Sequence, residues 1–407
     1  MRSLLLGAAL LLNAALGWAA EPLAFKVKLE TLAVSTEPAW QWFHPRPAAI
    51  PGRGLAGAPL AVITLQRHLN VSDYYSGLYS MTSSDLGKSW EGPTEIPELG
   101  WIKESDSVDV AVADVTPGWH ARSGRLIAVG ARVRYSKKGE QLDDRARSHE
   151  TAYAVYDPAA RRWSAWQTIA MPAGSQFNFA RSACAQWLTL DDGTVLLPFY
   201  FGPDAKQPHS VTVARFGFDG RQLRYLDHGS EHRLADVRGL VEPSLVKFQG
   251  KFYLTIRNDL RGYVTVSADG LHYAPIRPWT FEDGTELGSY NTQQHWLAHS
   301  DGLFLSYTRR GAGNDHIIRH RAPLFLAQVD PVTLRVMRST EQILMPERGA
   351  MFGNFGAAAM TAEESWVTDS EGLFGPAAKS RSLDGATLLA RVLWSRPNRA
   401  VTKARGR

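Results

Sequence analysis

A carboxylate and a guanidinium bracket one short hairpin pattern in this sequence. Residues 241–258 read VEPSLVKFQGKFYLTIRN, in which Glu242 opens the first apolar run and Arg257 closes the second. The Gln-Gly pair between the runs is typical of a tight turn. The pattern therefore predicts that both charges lie at the same end of two paired strands and face a common site.

Three more charged residues at predicted strand ends could join this pair. Arg46 lies in PRPA, Asp73 in SDYY and Arg321 in RAPL. Guanidinium groups hold carboxylates through charge-assisted, bidentate hydrogen bonds, and an Asp can protonate a departing oxygen. The alternative for each arginine is a surface ion pair, since the chain holds 45 Lys and Arg. Together the five residues favour a site for a small acidic molecule.

Strand patterns must position these residues, because helical periodicity is nearly absent. Short apolar or alternating runs such as PLAVITLQ, GTVLLPFYF and GKFYLTIRN are bounded by Gly, Asp, Pro and Asn throughout. We expect an all-β, six-bladed β-propeller. Its expected blades span 47–97, 105–170, 175–232, 238–281, 288–345 and 350–396. The early strand 24–35 would pair into the last blade and close the ring.

A repeated turn motif supports the propeller. Residues 83–90, SSDLGKSW, fit the pattern S-x-D-x-G-x-[ST]-W, known as the Asp-box, and residues 267–273, SADGLHY, are a shortened relative. In such a turn the Asp accepts backbone N–H bonds and the Gly adopts a conformation that other residues resist. The aromatic residue is expected to fill the space between blades.

With these motifs in this order, the sequence resembles the exo-α-sialidases, six-bladed propellers with Asp-boxes. The resemblance implies that Arg46, Arg257 and Arg321 form a triad that binds the carboxylate of a sialic acid. It also implies that Asp73 is the acid/base and that Glu242 is a base toward a nucleophile, which in that family is a tyrosine. Arg319 competes with Arg321 for the third place in the triad.

The sequence departs from the family at this nucleophile. Residues 351–357 read MFGNFGA, so Asn354 or Phe355 stands where the family has its tyrosine. Tyr75 or Tyr290 could fill the space instead, or a water activated by Glu242 could attack with inversion. Two other functions stay open: a non-catalytic propeller lectin, and a lyase or hydrolase acting on a uronate.

Other polar residues have weaker interpretations. His44, Gln293 and His295 could contact sugar hydroxyls, although a satisfied structural role is the simpler reading. Asp109 and Asp114 are expected to serve local backbone hydrogen bonds or turns. Cys184, the one cysteine, lies in an apolar context and is expected to be a buried, inert thiol; it excludes an intrachain disulfide.

The two ends of the chain and its composition indicate where the protein acts and what it binds. Residues 1–20 read as a signal peptide, which predicts a secreted or periplasmic protein. A single propeller domain is expected over 21–398, and a disordered basic tail over 399–407. The net charge of +5 is modest and spread, so we expect a glycan or acidic sugar substrate, no nucleic-acid partner, no membrane association after signal cleavage and a monomer. No metal-ligand motif or cofactor is predicted.

Overall fold

Six antiparallel sheets surround a central axis in the computed structural model. The structure describes residues 21–35, 37–71, 73–142, 148, 150–236, 238–380 and 383–401. The expected signal peptide and most of the basic tail therefore lie outside the described residues. The all-β, six-bladed β-propeller predicted from the strand patterns is confirmed.

The blades are numbered here in the chain order of their inner strands. Blade 1 contains Gln41–Ile50, Leu60–His68, Tyr75–Ser83 and Glu91–Glu95. Blade 2 contains Ile102–Lys103, Val108–His120, Arg125–Ser136, Thr151–Asp157, Arg162–Trp163 and Gln167–Thr168. Blade 3 contains Phe179–Arg181, Leu188–Thr189, Val195–Gly202, Ser210–Phe218, Leu223–His228 and His232–Arg233.

The second half of the ring repeats this plan. Blade 4 contains Val241–Phe248, Lys251–Arg257, Tyr263–Ser267 and Arg277–Pro278. Blade 5 contains His295–His299, Gly302–Tyr307, Leu324–Asp330, Arg335–Val336 and Gln342–Met345. Blade 6 contains Gly356–Ala359, Glu364–Ser370, Ala386–Trp394 and the early strand Phe25–Val34.

Helices are few and short among the described residues. One α-helix spans Gly375–Ser380. Single 3₁₀ turns span Leu55–Gly57, Pro97–Leu99, Ser175–Phe177, Ile318–His320 and Arg338–Thr340. Within the described ranges, no helix has the length and apolar character needed to cross a membrane.

The ring closes through the N-terminal strand, as expected. Phe25–Val34 pairs antiparallel with Ala386–Trp394, from Phe25 opposite Trp394 to Val34 opposite Ala386. Blade 6 thus joins strands from both ends of the chain. Closure of this kind covers an edge that would otherwise present unpaired backbone groups.

The core lies between blades, because each sheet packs against a neighbour on both faces. Every residue of Val195–Gly202 in blade 3 is buried, as expected for a strand covered on two sides. Large aromatic residues fill the wedges between blades. Trp279 of blade 4 lies 5.6 Å from Trp296 of blade 5, centroid to centroid.

The turn motif at 83–90 forms the hydrogen bonds that its sequence predicts. The Asp85 carboxylate accepts bonds from the backbone N–H of Ser89 and from the hydroxyls of Ser83 and Ser89. These bonds lower the pKa of Asp85 to about 2. Trp90 at the end of the motif lies 5.8 Å from Trp366 of blade 6, so the aromatic residue does fill the space between blades.

We expect Trp366→Ala to lower the free energy of unfolding by about 3–5 kcal/mol, since Trp366 is fully buried and its removal leaves a cavity. Urea denaturation would measure the loss. Leu393→Ala in the same sheet is the matched control, because Leu393 is 37% exposed; its loss should be about 1 kcal/mol or less. Equal losses in the two variants would contradict this view of the interblade core.

Candidate active site

Five blades each place one residue with a left-handed backbone near the axis. These residues are His44 (φ 52°), Asp114 (57°), Cys184 (52°), Glu242 (45°) and Asn291 (48°), and blade 6 contributes Gly353 (112°). Strand pairing is irregular beside the residues of blades 1, 2 and 4. Such bulges re-aim side chains, and clustered left-handed residues point to a functional site. The six residues are called the axial ring below.

The hairpin in blade 4 brings Glu242 and Arg257 together, as its sequence predicts. Val241 is the strand partner of Arg257, and Gln249 and Gly250 form the turn with φ of 47° and 79°. Arg257 Nη1 donates to Glu242 Oε1 at 2.5 Å. Because the Glu242 side chain is only 16% exposed, this ion pair is largely shielded from water.

Blade 5 adds a second buried guanidinium next to this pair. Asn291 links the two arginines: its side-chain Oδ1 accepts from Arg257 Nη2 at 2.6 Å, and its backbone oxygen accepts from Arg321 Nη2 at 2.5 Å. Arg321 is 5% exposed. Asn291 was not predicted as a site residue; the signal was an Asn before a strand, a residue type that tolerates the left-handed conformation.

Arg321 has no carboxylate among its described hydrogen-bond partners. Glu242 bonds to Arg257, whereas Asp259 and Asp369 act on Arg257 and Arg321 through their charges without a described hydrogen bond. Burial and the positive charge of Arg257 lower the pKa of Arg321 to about 9. The Nε atoms of Arg257 and Arg321 are buried and have no hydrogen-bond partner among the described residues. An anion bound here would supply the missing acceptors.

The structure separates Arg321 from its competitor Arg319. Arg319 is exposed, in the 3₁₀ turn that precedes Arg321. Arg321 alone of the two is buried and bonded to the axial ring. Of the two candidates for the third arginine, the geometry favours Arg321.

Arg46 is buried inside the propeller and bonds to its interior. It is 1% exposed, and its guanidinium bonds to Gln293, His295 and the backbone oxygen of Phe355 at 3.1 Å each. A bulge between Phe43 and Arg46 turns His44, rather than Arg46, toward the axial ring. The expected role of Arg46 as a carboxylate ligand is therefore corrected to a tie between blades 1, 5 and 6. Gln293 and His295 belong to the same tie.

His44 and Asp114 form a second hydrogen-bonded group in the ring. His44 Nε2 lies 2.9 Å from Asp114 Oδ1, and the Cys184 thiol donates to the same oxygen at 2.9 Å. Burial would raise the pKa of Asp114, but His44 and Arg46 hold it well below its usual range. The expectation that Asp114 serves only local backbone bonds was wrong, because a contact between blades is not visible in the local sequence. Asp109 pairs with Lys137.

Cys184 is buried, as predicted, and its surroundings make its thiol unreactive. It is 4% exposed. Burial, followed by the charges of Asp114 and Glu242, raises the pKa of its thiol well above the usual value. The thiol is therefore a hydrogen-bond donor to Asp114 in the ring.

Asp73 is exposed on the loop of blade 1 that precedes the strand Tyr75–Ser83. The Tyr135 hydroxyl donates to the Asp73 backbone oxygen at 2.6 Å and fixes the loop. The Tyr75 hydroxyl donates to Asp73 Oδ1 at 3.2 Å, and the Tyr75 ring lies 4.7 Å from the His44 ring. Asp73 is thus connected to His44 of the axial ring through the Tyr75 side chain, and its role as an acid/base stays a prediction.

No tyrosine occupies the place expected for a nucleophile in blade 6. Gly353 holds the ring position there, and a Cβ on it would lie 2.6 Å from Thr292 Oγ1, so this backbone has no room for a side chain. Phe355 is fully buried against His295. Tyr290 bonds to His320 instead. Of the two alternative tyrosines, only Tyr75 contacts a predicted catalytic residue.

Asp369 of blade 6 forms hydrogen bonds to the backbone beside the axial ring. It is fully buried and accepts bonds from the backbone N–H groups of Gly353 and Ser370, both at 2.8 Å. Burial raises the pKa of Asp369 to about 7, against these hydrogen bonds. The sequence did not single out this residue, because a buried carboxyl in a strand resembles an exposed one in pattern.

This pKa predicts a loss of stability as pH rises from about 4 to 7. In that range the folded protein keeps a proton on Asp369 that the unfolded chain releases, so the free energy of unfolding falls. We expect the contribution to be on the order of a few kcal/mol. Urea denaturation of the wild type and of Asp369→Asn at several pH values would measure it. A wild-type slope that the variant retains in full would contradict the assignment.

Among the described residues, no group of three or more His, Cys, Asp or Glu could hold a metal ion.

Comparisons with known proteins agree with the architecture. No protein-family model and no curated protein sequence matches the chain. Solved structures do match: Trypanosoma rangeli sialidase has 13% identity and a TM-score of 0.59 over 91% of this chain. NanB sialidase from Streptococcus pneumoniae has 10% identity and 0.58 over 91%, and phage phi92 endosialidase has 12% identity and 0.56 over 94%.

These matches define the fold class, a six-bladed propeller similar to those of sialidases. The chain spans 60% of the Trypanosoma rangeli sialidase, 70% of NanB and 71% of the phage enzyme. At such identities the likeness shows the fold alone.

Proposed function

We propose that the protein is a sialidase-like glycoside hydrolase that removes a terminal α-linked sialic acid or a related acidic sugar. The observation that carries this proposal is the buried pair Arg257 and Arg321. Of these two buried guanidiniums, Arg257 has one carboxylate hydrogen-bond partner, Glu242, and Arg321 has none among the described residues. The Nε donors of both are also unpaired among the described residues. Such a place is suited to a carboxylate that is brought by a substrate.

The other residues take roles that follow from their contacts. Glu242 and Asn291 orient Arg257, so the guanidinium is held in place before the substrate arrives. Asp73, exposed on its loop and fixed by Tyr135, protonates the departing glycosidic oxygen. In this arrangement two arginines, Arg257 and Arg321, hold the sugar carboxylate, whereas the sequence predicted three.

One structural neighbour supports an acidic sugar as the ligand. The Trypanosoma rangeli sialidase, with 14% identity and a TM-score of 0.59 over 91% of this chain, was solved in complex with sialic acid. For the present chain, sialic acid is a proposal that rests on the arginine pair. Export through residues 1–20, a single propeller domain over 21–398 and a monomeric state are further parts of the proposal that follow from the sequence.

A uronate-acting lyase is the second candidate, favoured by one observation. The His44 ring lies against Tyr75 within the site. A histidine and a tyrosine could remove a proton beside a uronate carboxylate and return it to the leaving oxygen. The arginine pair would hold the carboxylate in this reaction as well.

Turnover of a fluorogenic sialoside by the purified wild-type protein tests the proposal. We expect release of the fluorophore, together with binding of free sialic acid as a product. Release of an unsaturated uronate from a polyuronate, seen by its ultraviolet absorbance, would select the lyase instead. Tight binding of sialic acid with no turnover of any acidic glycoside would select the lectin and refute the hydrolase.

A further inference from the structure

His44 presents one imidazole nitrogen that no described residue uses. Its Nε2 lies 2.9 Å from the Asp114 carboxylate. Its Nδ1 is buried and has no hydrogen-bond partner among the described residues. The whole side chain is 2% exposed. Buried polar atoms are nearly always hydrogen-bonded, so an unused one at a functional site calls for a ligand group.

The contact with Asp114 determines what Nδ1 can do. Asp114 is an acceptor, so in the neutral form of the imidazole the proton is on Nε2, and this N–H donates a hydrogen bond to the carboxylate. Nδ1 then has a free lone pair. The Cys184 thiol bonds to the same Asp114 oxygen and orients that carboxylate from blade 3. Residues from blades 1, 2 and 3 thus leave Nδ1 of His44 as an unpaired basic nitrogen in the axial ring.

Tyr75 is unsuited to be the nucleophile. Burial, then the charges of Asp73 and Asp114, raises the pKa of Tyr75 well above its usual value. Its hydroxyl remains protonated and donates to Asp73. Glu242 has no tyrosine hydroxyl among its described hydrogen-bond partners and instead bonds to Arg257. Tyr200 lies close enough to Glu242 and Asp114 to feel their charges, and burial raises the pKa of its hydroxyl as well. The attacking group is therefore best supplied as water.

We propose that His44 is the general base that activates this water and that Asp114 is the positioning residue that sets its tautomer. The inference rests on the hydrolase function proposed above. Nδ1 takes a proton from water as the water oxygen bonds to the anomeric carbon. The bond from that carbon to the leaving oxygen breaks, and protonated Asp73 supplies the proton to that oxygen. Proton exchange with solvent then restores both groups.

The arrangement predicts inversion at the anomeric carbon. Direct attack by water inverts, whereas a covalent tyrosine intermediate gives retention. His44 and Asp73 are separated by the Tyr75 side chain, which contacts both. An inverting site needs room for a water between its two groups.

The test begins with the wild-type enzyme and needs no variant. Nuclear magnetic resonance during hydrolysis of an α-sialoside identifies the anomer of the sugar that is released first. We expect the inverted anomer. The retained anomer would overturn the inference and leave the hydrolase function standing. An enzyme that turns over no acidic glycoside would refute the proposed function, and the inference with it.

His44→Gly gives a second, independent readout. Glycine suits the φ of 52° at this position, so the backbone should be undisturbed. We expect kcat to fall by about 10²–10⁴-fold, the usual contribution of a general base, while the Kd for free sialic acid stays within about threefold. Added imidazole should restore part of kcat, because it can occupy the space left by the ring.

His44→Gln and Asp114→Asn complete the series. Both should lower kcat with little change in the Kd for sialic acid. Wild-type kcat in either His44 variant would overturn the inference. Parallel losses of kcat and sialic acid binding in both His44 variants would also overturn it, because they would show a structural role.

Discussion

Replacing Arg321 with methionine is expected to weaken binding of free sialic acid by at least about 30-fold. Loss of one partner of a buried, hydrogen-bonded charge pair costs about 2 kcal/mol or more. Arg321 is one of the two buried guanidiniums that we propose bind the sugar carboxylate. Its loss should therefore raise the Kd for sialic acid and the KM for the substrate together. Isothermal titration with sialic acid would measure the effect.

The same substitution should leave the fold as stable as before, or more so. Burial and Arg257 lower the pKa of Arg321, which means that its charge is held against an unfavourable environment. Arg319→Met is the matched control, since Arg319 is exposed two residues away; its Kd should change by less than about threefold, because exposed charges contribute little. If Arg319→Met proved the more damaging variant, the arginine pair would be misassigned.

Replacing Asp73 with asparagine is expected to reduce kcat by about 10²–10⁴-fold without weakening sialic acid binding. The carboxyl is exposed on its loop and bonds to Tyr75 rather than to the arginine pair. It should therefore contribute to proton transfer and little to ground-state affinity. Steady-state kinetics with a sialyl-lactose substrate, beside titration with sialic acid, would separate the two effects.

Substrates with different leaving groups can distinguish an acid role of Asp73 from other causes of lost activity. An aryl leaving group needs little protonation, so Asp73→Asn should lose much less activity on a fluorogenic aryl sialoside than on a sialyl-lactose. Asp106→Asn is the control, because the Asp106 side chain is 99% exposed and pairs with Lys103. Equal losses on both substrates would show that Asp73 is not the acid.

Much of the fold could be predicted because propeller strands are local patterns. Alternation of apolar residues, tight turns and the motif at 83–90 define each blade within about 50 residues of sequence. The hairpin 241–258 is the sharpest case: its turn and register follow from its own residues, so the meeting of Glu242 and Arg257 was foreseeable. Closure by strand 24–35 followed from the need to pair a sheet edge.

The rest of the site depends on contacts between blades, which a single sequence does not show. His44 and Asp114 are 70 residues apart, and a bulge decides that His44 rather than Arg46 faces the ring. Asn291 joins two arginines through one side-chain and one backbone oxygen. Such positions depend on left-handed backbone conformations, which local propensity disfavours at non-glycine residues.

The contacts of Glu242 and Arg257 suggest a different role for Glu242 from the one implied by the family resemblance. The resemblance implied that Glu242 is a base toward a tyrosine. In the structure Glu242 bonds to Arg257, and Arg321 has no carboxylate among its described hydrogen-bond partners. Its expected contribution is to hold a carboxylate-binding group in place.

The most direct test of the central claim is a titration of the wild-type protein with an acidic sugar and with its methyl ester. Sialic acid and glucuronic acid, each as free acid and ester, would be compared by calorimetry. If Arg257 and Arg321 bind a carboxylate, at least one free acid should bind about 30-fold or more tightly than its ester. Equal affinities of acid and ester for both sugars, or no binding by any of them, would contradict the claim.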